Sequence, residues 1–156
     1  MSGSALKEAA VELLDDYAAR IDDDRLEAWL DLFAEDCCYR IVPRENHDQD
    51  LPLPIMLCPS KNVLRDRIVS LRHANKYNLH YDRHIISGVR VRPEGDGARI
   101  EANFVVYQTS LEGESQLFAV GRYRDRVRAE GDTLVFVDKL VILDSFAVPH
   151  LIATPL

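Results

Sequence analysis

The second half of the chain constrains the fold most. Three turn signals punctuate it: Pro93-Glu94-Gly95-Asp96-Gly97, Glu112-Gly113-Glu114 and Glu130-Gly131-Asp132. Glycine supplies the positive φ angles that tight reversals need, and aspartate tolerates them. Around these turns run segments rich in β-branched and aromatic residues, at 83–92, 99–110, 116–128 and 134–146. Three successive hairpins predict an antiparallel meander.

The first half has a different period. Leu6, Ala10, Leu13, Leu14, Tyr17 and Ile21 share one helical face, which predicts a helix over 5–21. Asp22-Asp23-Asp24 interrupts it. Asp24, with Glu27 three residues later, reads as a capping box for a second helix that places Leu26, Trp29, Leu30 and Phe33 on one side. Helices are thus expected over about 5–35. A short strand follows at 37–42. The stretch 43–59 holds prolines at 43, 52, 54 and 59 and reads as a long irregular loop, a kind of segment that is often functional. Ser60 is the expected N-cap of a third helix over about 60–75, with Val63, Leu64, Arg67, Ile68 and Leu71 inward. Helices first and strands afterwards predict one α+β domain over 1–156. Its helices lie on one face of a curved antiparallel sheet, and an apolar tail follows at 147–156.

A net charge of −7 argues against non-specific nucleic-acid binding, which needs lysine and arginine to neutralise phosphates. No apolar run approaches the roughly 18 residues of a membrane span. Met1-Ser2-Gly3-Ser4 opens no signal peptide. The cysteines Cys37, Cys38 and Cys58 form no Cys-x-x-Cys pair, which makes a reducing compartment, the cytoplasm, the expectation.

Several patterns could carry chemistry. On an extended strand His80, Asp82 and His84 point one way, and two imidazoles with a carboxylate suit non-haem iron. Structural hydrogen bonding or an interface role is the favoured reading, because so short a pattern arises by chance. Asn46-His47-Asp48-Gln49-Asp50 lacks the acidic spacing and glycine of a calcium loop and reads as a solvated or partner-facing loop. Cys37 and Cys38 have no histidine partner by sequence and read as buried strand cysteines. A Rieske cluster needs two cysteines and two histidines. Cys58 is followed by Pro59-Ser60-Lys61 and no Cys-x-His occurs, so the chain cannot hold that cluster alone. Alternation puts Arg122, Arg124, Arg126 and Arg128 on one sheet face, either solvated beside acids or facing a protein, since arginine is enriched in interfaces. The apolar tail either packs on its own domain or is covered in an assembly.

The run Tyr39-Arg40-Ile41-Val42-Pro43-Arg44-Glu45-Asn46 and the run Tyr81-Asp82-Arg83-His84-Ile85-Ile86-Ser87-Gly88-Val89 carry a family likeness. With the helix pair at 17–33, Asp66-Arg67 and the final proline-leucine, the chain resembles the small (β) subunit of aromatic-ring-hydroxylating dioxygenases. The likeness is strongest to the branch acting on salicylate, anthranilate and terephthalate. The resemblance implies an NTF2-like cone with a structural role, and neither a catalytic residue nor a cofactor of its own. It implies a large α subunit carrying a Rieske [2Fe–2S] cluster and a mononuclear Fe(II). It further implies an α3β3 hexamer containing a trimer of this chain, fed by a reductase or ferredoxin. Arg44, Glu45, Arg83, Arg122, Arg124, His150 and Leu156 are the candidate interface residues. His84 is expected buried and hydrogen-bonded, and Arg83 outward. The alternative is a stand-alone NTF2-like isomerase or dehydratase, or a small-ligand-binding cone, recruiting Tyr17, Tyr39, Asp82 and His84 inside.

Overall fold

A computed structural model describes residues 2–51, 53–73, 79–145, 152 and 154–156. The element order is α1 (Gly3–Asp22), α2 (Leu26–Leu30), β1 (Phe33–Pro43), α3 (Arg44–Asp48), β2 (Met56–Cys58), α4 (Lys61–His73), β3 (His80–Glu94), β4 (Gly97–Ser110), β5 (Ser115–Glu130) and β6 (Thr133–Leu143). The strands form one sheet in the order β2-β1-β6-β5-β4-β3.

α1 forms where its periodicity requires. Ser2 caps it by accepting from the Ala5 amide at 3.2 Å, and all six residues of the predicted face are buried. That face packs against β3 and β6. In α4, Leu64, Ile68 and Leu71 are buried, and the Ser60 hydroxyl accepts from the Val63 amide at 3.4 Å. Val63, expected inward, is exposed.

Three local expectations are corrected. Asp24 does not cap α2; its φ is +57° and its carboxylate holds Arg72 of α4 at 2.7 and 2.8 Å. The second helix stops at Leu30, because the Phe136 amide donates to the Leu32 carbonyl at 2.8 Å and draws the chain into the sheet. Phe33 therefore opens β1 instead of lining a helix. The stretch 43–59 is not wholly irregular, since it contains α3 and β2. The Asn46 side chain donates to the Leu53 carbonyl at 3.0 Å, and β2 pairs antiparallel with β1.

β3 to β6 form the expected meander. The sheet is not purely antiparallel, however: β1 lies parallel to β6, with Tyr39 opposite Lys139 and Ile41 opposite Val141. Register irregularities interrupt the β3–β4 pairing between Ser87 and Arg90, the β4–β5 pairing at Val106 and Tyr107, and the β5–β6 pairing at Arg126 and Val127. Bulges of this kind bend strands and increase their twist. Gly88, with φ +64°, sits in the first. Gly121 is required for a different reason: a Cβ there would lie 1.9 Å from the Ile142 carbonyl oxygen of the neighbouring strand.

The core fills the space between helices and sheet. Tyr17, Trp29, Phe33, Tyr39, Tyr123 and Phe136 form a continuous aromatic cluster, with ring centroids 4.6 to 6.4 Å apart in mostly tilted or edge contacts.

Candidate functional site

Alternation along β3 places His80, Asp82 and His84 on the inner face, as their spacing predicts, and leaves Tyr81, Arg83 and Ile85 outside. His80 and Asp82 approach each other at 3.3 Å, and each inner side chain also has a partner outside the trio. His84 Nδ1 lies 2.6 Å from an Asp22 carboxylate oxygen, and the other oxygen accepts the His84 amide at 2.9 Å. The end of α1 is thereby clamped to β3. Asp82 accepts from the Thr154 hydroxyl at 2.9 Å, and His80 lies 3.1 Å from the Gln108 amide nitrogen. His84 is buried and hydrogen-bonded, with Arg83 outward. Among the described residues no group of three or more His, Cys, Asp or Glu is arranged to hold a metal ion.

Deeper inside lies a polar pair that the sequence reading missed. Lys139 and Asp125 meet at 2.9 Å with both side chains fully buried. The ammonium sits 3.3 Å from the Tyr123 ring centroid and 4.3 Å from that of Tyr17, a cation–π enclosure. Burial pushes the Asp125 carboxyl up to about 6 and the Lys139 ammonium down to about 8, against their mutual attraction. Strand parity carried the signal, since Asp125 lies between inward Tyr123 and Val127, and Lys139 two residues before inward Val141.

The residues that the alternative enzyme reading would recruit do converge in the interior. Tyr17, Tyr39, Asp82 and His84 all face inward and are buried. Leu156 meets the two tyrosines, Thr154 meets Asp82, and Asp22 holds His84. The Tyr17 and Tyr39 hydroxyls donate to the Leu156 carbonyl oxygen, the latter at 3.3 Å, and the Leu156 amide donates back to Tyr39 at 3.0 Å. The Leu156 side chain is 2 % exposed. This corrects the placement of Leu156 among the interface residues, since it is enclosed by its own domain. His150 lies outside the described residues.

The other candidates stand on the surface. Arg44 and Glu45 open α3, and Arg44 reaches Asp48 and Asp144 only at 3.5 Å. Arg122 and Arg124 are exposed on β5, with no ion pair among the described residues, whereas Arg126 binds Asp138 at 2.8 Å and Arg128 binds Asp36 at 2.9 Å. The arginine row is therefore neutralised at one end and open at the other. Beyond its open end the outer face turns apolar. Tyr81, Ile85, Tyr107, Leu117 and Val120 are exposed, and pairing registers set Val105 between Ile85 and Val120, and Tyr107 between Arg83 and Leu117. A second exposed apolar group is Leu51, Leu53, Ile55 and Leu57, of which Leu51, Leu53 and Leu57 border an open cleft beside Arg40 and His47. The outer-face patch escaped the sequence reading, and in the 43–59 loop, which reads as partner-facing, the apolar residues were not singled out. Apolar residues at outward strand positions were the available signal.

A Rieske cluster does not fit these side chains. The cysteines lie on β1 and β2, while His80 and His84 lie on β3, at the opposite edge of the sheet. Four strand spacings, roughly 19 Å, separate β1 from β3. Burial also pushes the Cys37 thiol up to about 11 and raises Cys38 and Cys58, which disfavours the thiolate a metal needs.

Comparison with known proteins gives consistent matches. Residues 17–150 match the family model described as ring hydroxylating beta subunit. The chain is 46% identical to the anthranilate 1,2-dioxygenase small subunit of Burkholderia cepacia, over 90% of this chain and 88% of that one. It is 35% identical to a terephthalate 1,2-dioxygenase terminal oxygenase component subunit beta 2 of Comamonas sp, over 90% of this chain and 92% of that one. A crystal structure described as the β subunit of an aromatic-ring-hydroxylating dioxygenase from Novosphingobium aromaticivorans superposes with a TM-score of 0.87 at 39% identity, covering 96% of each chain.

Proposed function

Because the chain belongs to the ring-hydroxylating β-subunit family, we propose that it is the small subunit of an aromatic-ring-hydroxylating dioxygenase that acts on an aromatic carboxylate. The carrying observation is 46% identity to an anthranilate dioxygenase small subunit across nine-tenths of the chain. The geometry supports the same reading. Leu156 packs inside beside Tyr17 and Tyr39, and an exposed apolar patch lies outside beside arginines with no ion pair among the described residues.

In this reading the redox chemistry belongs to a large α subunit holding a Rieske [2Fe–2S] cluster and a mononuclear Fe(II). A cytoplasmic reductase or ferredoxin delivers its electrons. The small subunit trimerises within an α3β3 hexamer and stabilises the α subunits. Arg44 and Glu45, with the apolar residues at 51–57, form the surface for α. Arg83, Arg122 and Arg124 border the outer-face patch that meets a neighbouring subunit. Closed symmetry is the norm for soluble oligomers and supports the trimer.

The test is co-expression with a Rieske-type large subunit. We expect one hetero-oligomer by light scattering, and turnover of a benzoate-type substrate only when both chains and a reductase are present. Turnover by the small chain alone, or failure to co-purify with any such subunit, refutes the assignment.

A further inference from the structure

The outer face of the sheet carries a cation that the arginine row of β5 does not include. Alternation along β1 turns Cys38, Arg40 and Val42 outward, opposite the inward Tyr39 and Ile41. Pairing registers set Arg40 between Leu57 of β2 and Leu140 of β6, and Leu140 in turn beside Arg124 of β5. Arg40 and Arg124 are thus two strands apart, roughly 10 Å at the backbone. Arg40 lies with Leu57 and Leu140 in the lining of the open cleft, about 490 Å³ in volume, to which His47 of α3 and then Leu51, Leu53 and Pro54 also contribute.

Arg40 is not answered within the chain. It is partly buried, its Nε is buried without a hydrogen-bond partner, and its guanidinium forms no ion pair among the described residues. Acids are near but do not meet it. Asp138, one row along the sheet opposite Cys38, is held by Arg126 at 2.8 Å. Asp50, in the cleft lining, forms no ion pair among the described residues. A chain with 26 acidic residues and a net charge of −7 therefore leaves a sheltered cation unpaired. A guanidinium partly withdrawn from water without a carboxylate is unfavourable, and an incoming carboxylate relieves it with a charge-assisted hydrogen bond.

Whatever fills the cleft must also cover apolar surface. Leu51, Leu53, Ile55 and Leu57 are 42 to 62 % exposed, and Ile55 lies outside the cleft lining. A small anion in the cleft leaves Ile55 bare, whereas a protein segment covers both. Two copies of this face brought together would set arginine against arginine, an unfavourable juxtaposition. We propose that the cleft receives an acidic side chain of the large subunit, flanked in its segment by an apolar residue that packs on Leu53 and Leu57, with Arg40 as the charged anchor. The proposal rests on the subunit reading above and adds to it the chemistry of the partner's segment. An arginine sheltered among apolar contacts is the kind of residue that dominates the centre of an interface.

The experiment measures the affinity of the full chain for a Rieske-type large subunit at low and at high salt. Arg40→Met should weaken association roughly tenfold at low salt and flatten its salt dependence, while leaving the melting temperature of the isolated chain unchanged. Arg40→Lys, which keeps the charge without the planar fork, should retain the salt dependence and part of the affinity. Arg65→Met removes the same charge from an exposed position on α4 and should change neither quantity. Should Arg40→Met not melt cooperatively, Arg40→Gln carries the same measurement. The proposal is overturned if the unaltered chain binds the large subunit and folded Arg40→Met binds it equally well, if Arg65→Met weakens binding as much, or if Arg40→Met acts instead on self-association of the isolated chain. Those outcomes leave the subunit reading intact. Failure of the unaltered chain to bind any such large subunit refutes that reading, and the proposal with it.

Discussion

On its inner face β5 presents Tyr123, Asp125 and Val127, all buried, and its carboxylate is answered by Lys139 at 2.9 Å. On its outer face, one residue away each time, Arg122 and Arg124 stand exposed with no ion pair among the described residues. The same contrast holds along β3, where His84 is clamped by Asp22 while Tyr81 and Ile85 face solvent. One side of the sheet answers its principal polar groups from within the chain. The other side leaves cations and aromatic surface unanswered. These exposed cations and apolar side chains stand where another subunit could cover them. The contrast locates stability on the inner face and leaves the outer face for the proposed assembly.

The largest expected effect tests the inner half of that contrast. Lys139→Ala leaves Asp125 buried without its partner and should cost about 3–5 kcal/mol in urea unfolding. The double change Lys139→Met with Asp125→Leu should recover most of the loss, because removing both charges also removes their desolvation penalty. A loss below ~1 kcal/mol for the single change would mean that water reaches the pair and the interior is not sealed.

The same pair predicts a pH dependence. Asp125 binds its proton more tightly in the folded chain, at about 6 against an ordinary 3.8, so stability falls as pH rises through that window. Lys139 releases its proton more readily when folded, at about 8 against an ordinary 10.5, so stability rises as pH climbs from 8 toward 10.5. The pair's contribution is therefore least favourable between pH 6 and 8. Relative to the double variant, the unaltered chain should lose on the order of 2–3 kcal/mol between pH 4 and 6 and regain a similar amount above pH 8. A difference curve that is flat with pH would place the pair's charge elsewhere.

His84→Ala probes the seam between α1 and β3. It should cost roughly 1–3 kcal/mol, because Asp22 loses one of its two donors while remaining poorly solvated. Activity per assembled complex should be unchanged. A hundredfold fall in turnover with normal assembly and melting would instead make His84 catalytic, and the two faces would no longer divide as described.

The smallest effect on the isolated chain is expected outside. Tyr107→Asp with Leu117→Asp should alter unfolding stability by no more than about 0.5 kcal/mol per site. It should abolish assembly with other subunits, read by light scattering. Arg44→Ala should likewise leave the fold intact, since its carboxylate neighbours lie 3.5 Å away at exposed positions, and should weaken association with the large subunit. Full assembly of the Tyr107/Leu117 variant would break the contrast from its outer side.

The residues that were readable in the sequence are those governed by near neighbours. The buried face of α1 followed from spacing alone, because a helix places residues three and four apart on one side whatever surrounds it. The glycine turns and the inward stripe of β3 followed from equally local rules. The errors share a different cause. Phe33 sits in a strand because Phe136, about a hundred residues away, supplies the hydrogen-bonded edge beside it. Asp24 has the composition of a cap, but Arg72 of a distant helix claims it. Half of the candidate surface was legible as arginines on alternate positions. Its apolar half was not, since Tyr107 and Leu117 look like core residues until the register shows which side they face.

By itself, then, the amino-acid order determined the class of fold, the meander, the inner face of the first helix and the family likeness. All rest on local periodicity or on short runs of residue identity. Only the tertiary structure decided that β1 lies parallel to β6, that Lys139 is held inside an aromatic box, and that Leu156 is an internal residue and not a surface one. Each of those depends on two segments far apart in sequence meeting in space. Alternation states that a side chain faces one side of a sheet or the other. It does not state what waits there, and for a buried lysine or an apolar tail the partner decides whether burial is affordable.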